Sequence, residues 1–349
     1  MSQINRVTWI DVCRGIGIII VIYTHALGAD RYRYFFYSFH MPLFFFLSGL
    51  VYNRSKHTKF FLFIRKTVKD TLLPFFIFAL VSYILWLLFP RYPLPTDMIV
   101  KQFFGTFYAN SAFWDTKYGL LSYNNILWFL PCLFVVKILF AAFTHISTKL
   151  KFLIPALFLC SLLGYLYAHF FAKLYLPYAA EIALTAVVFY GAGYLWRTHI
   201  GLDTIFMRSR RTTLIAVTAY IAVAVLSTYH FITAGNKIDM RLHFLGNYIF
   251  FYLTAAIGIV GAVAIGHIWH ENKYLTYLGK NSMILFAWHL LIFDYLTRAL
   301  LLLSVSNKTI QQLHNTLLAP LYTVISMLVI LLINVLFSRL KVAYRTSLQ

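Results

Sequence analysis

Ten stretches of about twenty mostly apolar residues recur along this chain of 349 residues, and that recurrence leaves few folds open to it. A helix of about 20 apolar residues matches the ~30 Å hydrocarbon thickness of a bilayer. The spans fall at residues 8–27, 35–53, 71–90, 125–145, 152–172, 180–197, 213–231, 246–267, 282–303 and 317–337. Composition agrees: the chain is 61% hydrophobic and only 11% charged, too little polar surface to coat a soluble protein of this length. The expected fold class is all-α, a polytopic transmembrane helical bundle of about ten spans. It forms a single domain over 1–349, with no internal repeat or low-complexity tract. Its longest loop, 91–124, reads "YANSAFWDTKYG" at its centre and suits an interfacial or sugar-facing lid. The sharpest question of placement is the break between the first two runs, at residues 28–34, where one long bent helix is the alternative.

The formal net charge is +20. In a soluble protein that would suggest nucleic acid, but here the basic residues lie in short loops between apolar runs, so no nucleic-acid partner is expected. With both termini cytoplasmic, the inside loops carry Lys and Arg over the outside loops by about two to one, which sets the expected orientation. Arg6 precedes the first run as it would in a cleaved leader, but Asp11, Arg14 and His25 inside that run favour a retained span. Cys13, Cys132 and Cys160 all sit in apolar stretches without metal-ligand spacing, so they read as packing residues and no metal is expected.

Ionisable groups inside a bilayer are expensive and mark candidate sites. Here they are Asp11, Arg14, His25, Lys137, Glu181, His289, Asp294 and Arg298, with His40 near an outer end. At 100° per residue Asp11, Arg14 and His25 share one face of the first helix, and at 1.5 Å per residue Arg14 and His25 are roughly 16 Å apart along it. A fixed guanidinium suits phosphate, and a histidine suits proton transfer with a hydroxyl. The pattern therefore fits a long, bipartite anionic donor. The competing reading is structural, an Asp11–Arg14 pair fixing the helix end and His25 bonded to another helix. Asp294 and Arg298, four residues apart, read as a self-satisfying pair. Lys137 is given no role. His289 falls about 10 Å past the start of its helix, so a direct meeting with His25 is not expected unless that helix is offset.

Several segments, in order along the chain, resemble the acyltransferase-3 family of integral-membrane acyltransferases, in particular its fucose 4-O-acetylase-like and polysaccharide O-acetyltransferase branch. "WIDVCRGIGIIIVIYTH" resembles the first-helix pattern, with Arg14 and His25 in register. "FHMPLFFFLSGLVY" is similar to the second-helix signature ending in Ser48 and Gly49. "FIRKTVKDTLLPF" resembles the basic segment opening the third helix, although Asp70 stands where a second basic residue is usual. "NNILWFLPCLF" looks like the Trp-Phe-Leu segment. "LPYAAEIALTAVVFYGAGYL" looks like the sixth span, with Glu181 where aspartate is more usual. "LGKNSMILFAWHLLI" is similar to the late Gly-x-x-Ser segment and puts His289 in register.

The resemblance implies acetyl transfer from cytoplasmic acetyl-CoA to a carbohydrate hydroxyl, at the outer side of a bacterial inner membrane. The acceptor would be a cell-surface polysaccharide such as O-antigen or exopolysaccharide, or its lipid-linked precursor. It assigns catalysis to His25 and Arg14, with Asp11, His40 and Glu181 as support. The donor would meet Arg65, Lys66, Lys69 and His289. Trp128 and Tyr123, with Tyr118, are candidates to stack on sugar faces, the plainer reading being the interfacial aromatic belt. The alternative function is a transporter that exports a glycan or lipid-linked sugar through the same charged track.

Overall fold

In hydrocarbon no water is available to an unpaired amide, so each apolar run must close its backbone bonds within itself. The computed structural model describes residues 7–27, 33–56, 59–90, 93–110, 124–202, 209–303, 305, 309 and 317–346, with side chains as far as 339. Among the described residues the regular secondary structure is all helical, apart from one isolated antiparallel bridge between Asp239 and Phe244.

The helices are α1 (Thr8–Ala26), α2 (Tyr34–Tyr37), α3 (His40–Leu50), α4 (Phe60–Thr67), α5 (Leu73–Leu88), α6 (Thr96–Tyr108), α7 (Phe129–Ile146), α8 (Leu150–Phe170), α9 (Ala180–Leu195), α10 (Arg210–Ala234), α11 (Tyr248–Ile268), α12 (Lys273–Lys280), α13 (Ser282–Leu302) and α14 (Ala319–Thr346). Among the described residues nine helical runs are long and apolar enough to cross a membrane, and Tyr34–Leu50 is a tenth, shorter apolar run. Each of the ten falls on one expected span, the third with a different start. The first helix does end before the second begins, because Leu27 is extended at φ −67° and ψ 132°.

Two expectations need correction. The third span begins at Phe60 rather than near residue 71, so Arg65, Lys66 and Lys69 lie within the 29-residue run Phe60–Leu88. A wide π turn, Val68–Leu72, joins its two parts. Pro74 supplies the cause: it has no N–H to return to the Asp70 carbonyl, so the ladder loosens there. The loop 91–124 is also not a bare lid, since it contains the 13-residue α6. Tyr83 Oη donates to the Ile99 carbonyl at 3.1 Å and pins α6 to α5. Tyr118 and Tyr123 lie outside the described residues.

Side-chain size sorts the bundle. On α10 the lipid-facing stripe is Leu214, Val217, Ile221 and Val225, whereas Ala216, Ala219, Val223 and Ser227 face inward. With lipid as apolar as the interior, close contact between small residues drives such packing. α1 occupies the centre: 67% of its membrane window is buried, against 22% for α14. It is packed by α3, α11, α12, α13 and α14, while α9 holds α3, α7 and α8 together. Glycine contacts at two helix pairs set the layout. A Cβ on Gly49 would stand 1.9 Å from the Tyr190 carbonyl oxygen, so glycine lets α3 and α9 touch backbone to backbone. Gly15 likewise faces the Leu275 carbonyl and Gly279 the Asp11 carbonyl, which lays α12 flat along the first turns of α1.

Candidate active site

Asn272 caps α12, its Oδ1 accepting from the Leu275 N–H at 2.9 Å. Because α12 runs beside residues 11–15 of α1, α13 starts level with Arg14, and Arg14 and Ser282 line the same cavity. His289, seven residues into α13, then rises about 10 Å further. Its Nε2 lies 3.2 Å from His25 Nδ1, with ring centroids 5.1 Å apart. The two histidines therefore meet, and the expected separation is corrected. The offset of α13 is the physical reason.

The protons of this pair follow from its partners. His289 Nδ1 lies 2.9 Å from the Phe286 carbonyl and 3.2 Å from that of Leu285. Carbonyls only accept, so Nδ1 carries the hydrogen and Nε2 of a neutral ring must accept. His25 then donates through Nδ1–H. Its own Nε2 is left as a lone pair with no hydrogen-bond partner among the described residues, at the wall of a cavity of about 260 Å³.

That cavity lies at the end of the bundle where α1 finishes, and His25, Tyr37, His40 and Trp128 line it. His40 Nδ1 donates to the Phe36 carbonyl at 2.7 Å, and its ring meets Tyr37 edge-on at 4.8 Å. Arg33, Lys237, Asp239 and Arg241 complete its charged wall. The last three come from one short stretch, "NKIDMRLHFLG", which sequence reasoning counted only toward topology. Its density of charge between two apolar runs was the available signal.

A second cavity of about 190 Å³ lies below, lined by Arg14, Ser48, Asp70, Thr71, Lys137 and Ser282 among others. Met41 and Phe286 line both cavities and so form the partition between them. Arg14 Nη1 reaches Asp11 Oδ1 at 3.5 Å, the pair expected from their spacing. Lys137, given no role from sequence, donates from Nζ to Thr71 Oγ1 at 3.0 Å. The π turn that loosens at Pro74 presents Asp70 and Thr71 to this space.

The remaining candidates separate from these two cavities. Arg65, Lys66 and Lys69 are exposed; Lys66 pairs with Asp70 at 2.9 Å. Glu181 lines neither of the two. Its Oε1 accepts from Asn110 Nδ2 at 3.1 Å and lies 3.3 Å from His243 Nε2, while Oε2 accepts from the Leu176 N–H at 3.1 Å. It stands behind the loop Met240–Leu242 that walls the larger cavity, rather than at His25. Asp294 and Arg298 pair at 2.6 Å, and Arg298 also donates to the Phe89 carbonyl. Among the described residues no three His, Cys, Asp or Glu side chains are grouped to hold a metal ion.

Comparison with known families matches residues 7–339 to the acyltransferase-3 model, described as an acyltransferase domain. No curated relative and no solved structure matches the chain. A basic, histidine-walled cavity joined through a thin partition to a second cationic one is thus carried on a family model that spans nearly the whole sequence, and the chain belongs to the acyltransferase-3 family of membrane-bound acyltransferases.

Proposed function

We propose that the protein is an O-acetyltransferase that moves acetyl from acetyl-CoA to a hydroxyl of a cell-surface polysaccharide or its lipid-linked precursor. In this reading it sits in a bacterial inner membrane with both termini cytoplasmic and the His25 cavity opening outward. The observation that carries the reading is the His25–His289 pair at the head of a two-cavity track that starts at Arg14.

The inner residues suit an acyl thioester arm. Arg14 and Lys137 offer fixed and mobile cationic donors, Ser48 and Ser282 offer hydroxyls, and Met41, Phe44 and Phe286 give an apolar wall. Arg65, Lys66 and Lys69 lie at the end expected to be cytoplasmic, where the anionic head of the donor would dock. Bound donor supplies an activated acyl carbon. The roughly 16 Å from Arg14 to His25 is comparable to the length of an extended pantetheine chain.

His25 Nε2 then takes the proton from the acceptor hydroxyl as its oxygen bonds to the acyl carbon, and returns it to the departing thiolate. His289 accepts the Nδ1–H throughout. It holds the imidazole in the tautomer with Nε2 bare and shares the charge when the ring is protonated, the task of an orienting partner. His40 lies on the same wall and Trp128 offers a ring face to a sugar.

The test is transfer of labelled acetyl from acetyl-CoA to isolated cell-envelope glycan by membranes holding the wild type, His25→Ala or Arg14→Ala at matched expression. An ester formed by the wild type and lost by about 10²-fold or more in His25→Ala supports the reading. Labelling equal to protein-free membranes over a broad glycan panel would turn the two cavities into stations of an export route.

A further inference from the structure

The outer cavity is more basic than a neutral sugar requires. Among its described lining residues three cations, Arg33, Lys237 and Arg241, face one carboxylate, Asp239. Asp239 is partly committed, since its Oδ1 accepts from the Arg241 backbone N–H at 3.1 Å. Lys237 is 9% exposed and holds its Nζ 5.2 Å from the centre of the Tyr37 ring. Tyr37 in turn meets His25 edge-on at 6.3 Å between centroids. The ammonium and the base thus flank one tyrosine.

These charges are built in. Asp239 and Phe244 exchange both backbone hydrogen bonds, at 2.8 and 3.0 Å, closing a tight loop around Met240–Leu242. His243, in the left-handed region at φ 61°, anchors it from behind. Its Nδ1 donates to the Ala172 carbonyl at 3.1 Å and its Nε2 meets buried Glu181. With Nδ1–H committed, the Nε2–Oε1 contact holds one shared proton, and in either arrangement it ties the loop to the start of α9. Arg33 donates to the Leu27 carbonyl as well, and a rigid wall that holds three cations beside a base turns a positive potential on the space, which draws an anionic ligand.

We infer that the acceptor taken by this cavity carries an anionic group, a carboxylate or a phosphate oxygen, gripped by Lys237, Arg241 and Arg33 so that a nearby hydroxyl lies at His25. The inference deepens the acetyltransferase reading and rests on it for the word acceptor. At about 260 Å³ the space holds roughly nine waters' worth of volume at ~30 Å³ each, enough for one sugar-sized group and its charge rather than a length of polymer. A guanidinium fork suits either anion by paired N–H bonds, and ammonium suits both as a point charge.

Binding to the purified full-length chain in nanodiscs tests this without depending on turnover. The probes are a glucuronate-terminated disaccharide, its carboxyl-reduced glucose counterpart, glucose 1-phosphate and a short polyprenyl diphospho-sugar. The anionic probes should bind at least tenfold tighter than the reduced disaccharide, with the margin shrinking as salt is raised. Whether glucuronate, sugar phosphate or polyprenyl diphospho-sugar binds tightest identifies the source of the anion. Lys237→Gln and Arg241→Gln should each lose most of that margin while leaving the neutral probe within twofold. Equal binding of the charged and reduced disaccharides and of glucose 1-phosphate by the wild type overturns the proposal. So does a loss in the variants that falls on coenzyme A instead, which would give these cations to the donor. Labelled-acetyl transfer indifferent to acceptor charge would sink this inference and spare the acetyltransferase reading. Anion-selective binding without any transfer would do the reverse.

Discussion

A neutral imidazole has one nitrogen to donate and one to accept, so a histidine held by a backbone carbonyl dictates the tautomer of its neighbour. That is the relation of His289 to His25, and in the proposed reading it makes His289 a positioning residue. Replacing it with leucine should lower kcat for acetyl transfer by about 10²-fold with acceptor KM nearly unchanged. His289→Gln, whose amide oxygen can still accept the His25 Nδ1–H, should recover part of that loss. A purely structural His289 would give equal losses for both variants and a lowered yield of folded protein. At this scale the first helix was well legible: Asp11, Arg14 and His25 announce themselves because charge inside an apolar run is costly. Lys137 and His289 are equally intramembrane, yet their roles were not legible, since a role depends on which side chain on another helix stands opposite.

Helices carry the next layer of information, and here small residues matter more than polar ones. The Ser-Gly end of α3 is a packing device: Gly49 lets the Tyr190 carbonyl of α9 approach to a distance no Cβ permits. Gly49→Ala should cost about 3 kcal/mol, the upper part of the range for overpacking, and should be seen as a lowered unfolding temperature in detergent before any assay of activity. Glu181 belongs to the same scale. Its resemblance to a family acid suggested catalytic support, but its partners are Asn110, Leu176 and His243, which places it as the tie between α9 and the loop that carries Lys237 and Arg241. Glu181→Leu leaves the His243 Nε2 without its partner, at a cost of about 3 kcal/mol. Hydrogen exchange should rise in residues 236–245 ahead of the helices, and unchanged exchange there would reject the tie. Span positions were readable because a bilayer enforces helix length. The register of α13 was not, because it depends on α12 lying along α1, an arrangement set by two glycines more than two hundred residues apart.

The whole molecule is a vectorial device in the proposed reading, with donor and acceptor met at opposite ends of one track, so its orientation is itself a prediction. Cys13, Cys132 and Cys160 are buried, which gives a low background for labelling with a membrane-impermeant thiol reagent. Lys173→Cys, on the outer side in the proposed reading, should label in intact cells, and Lys149→Cys only after the membrane is opened. The reverse pattern would invert the topology and bring the basic cavity to the cytoplasm. The places of the apolar runs, the start of the third apart, were determined by the sequence alone, as was the first-helix placing of Arg14 and His25, because hydrophobic length and the cost of buried charge are local properties of the chain. Only the tertiary structure decided that His289 is the partner of His25, that Lys137 joins Arg14 in one cavity, and that a loop near residue 240 arms the His25 cavity with cations. Those three facts arise from the relative height of helices and the folding back of a loop, which are fixed by contacts between residues far apart in the chain.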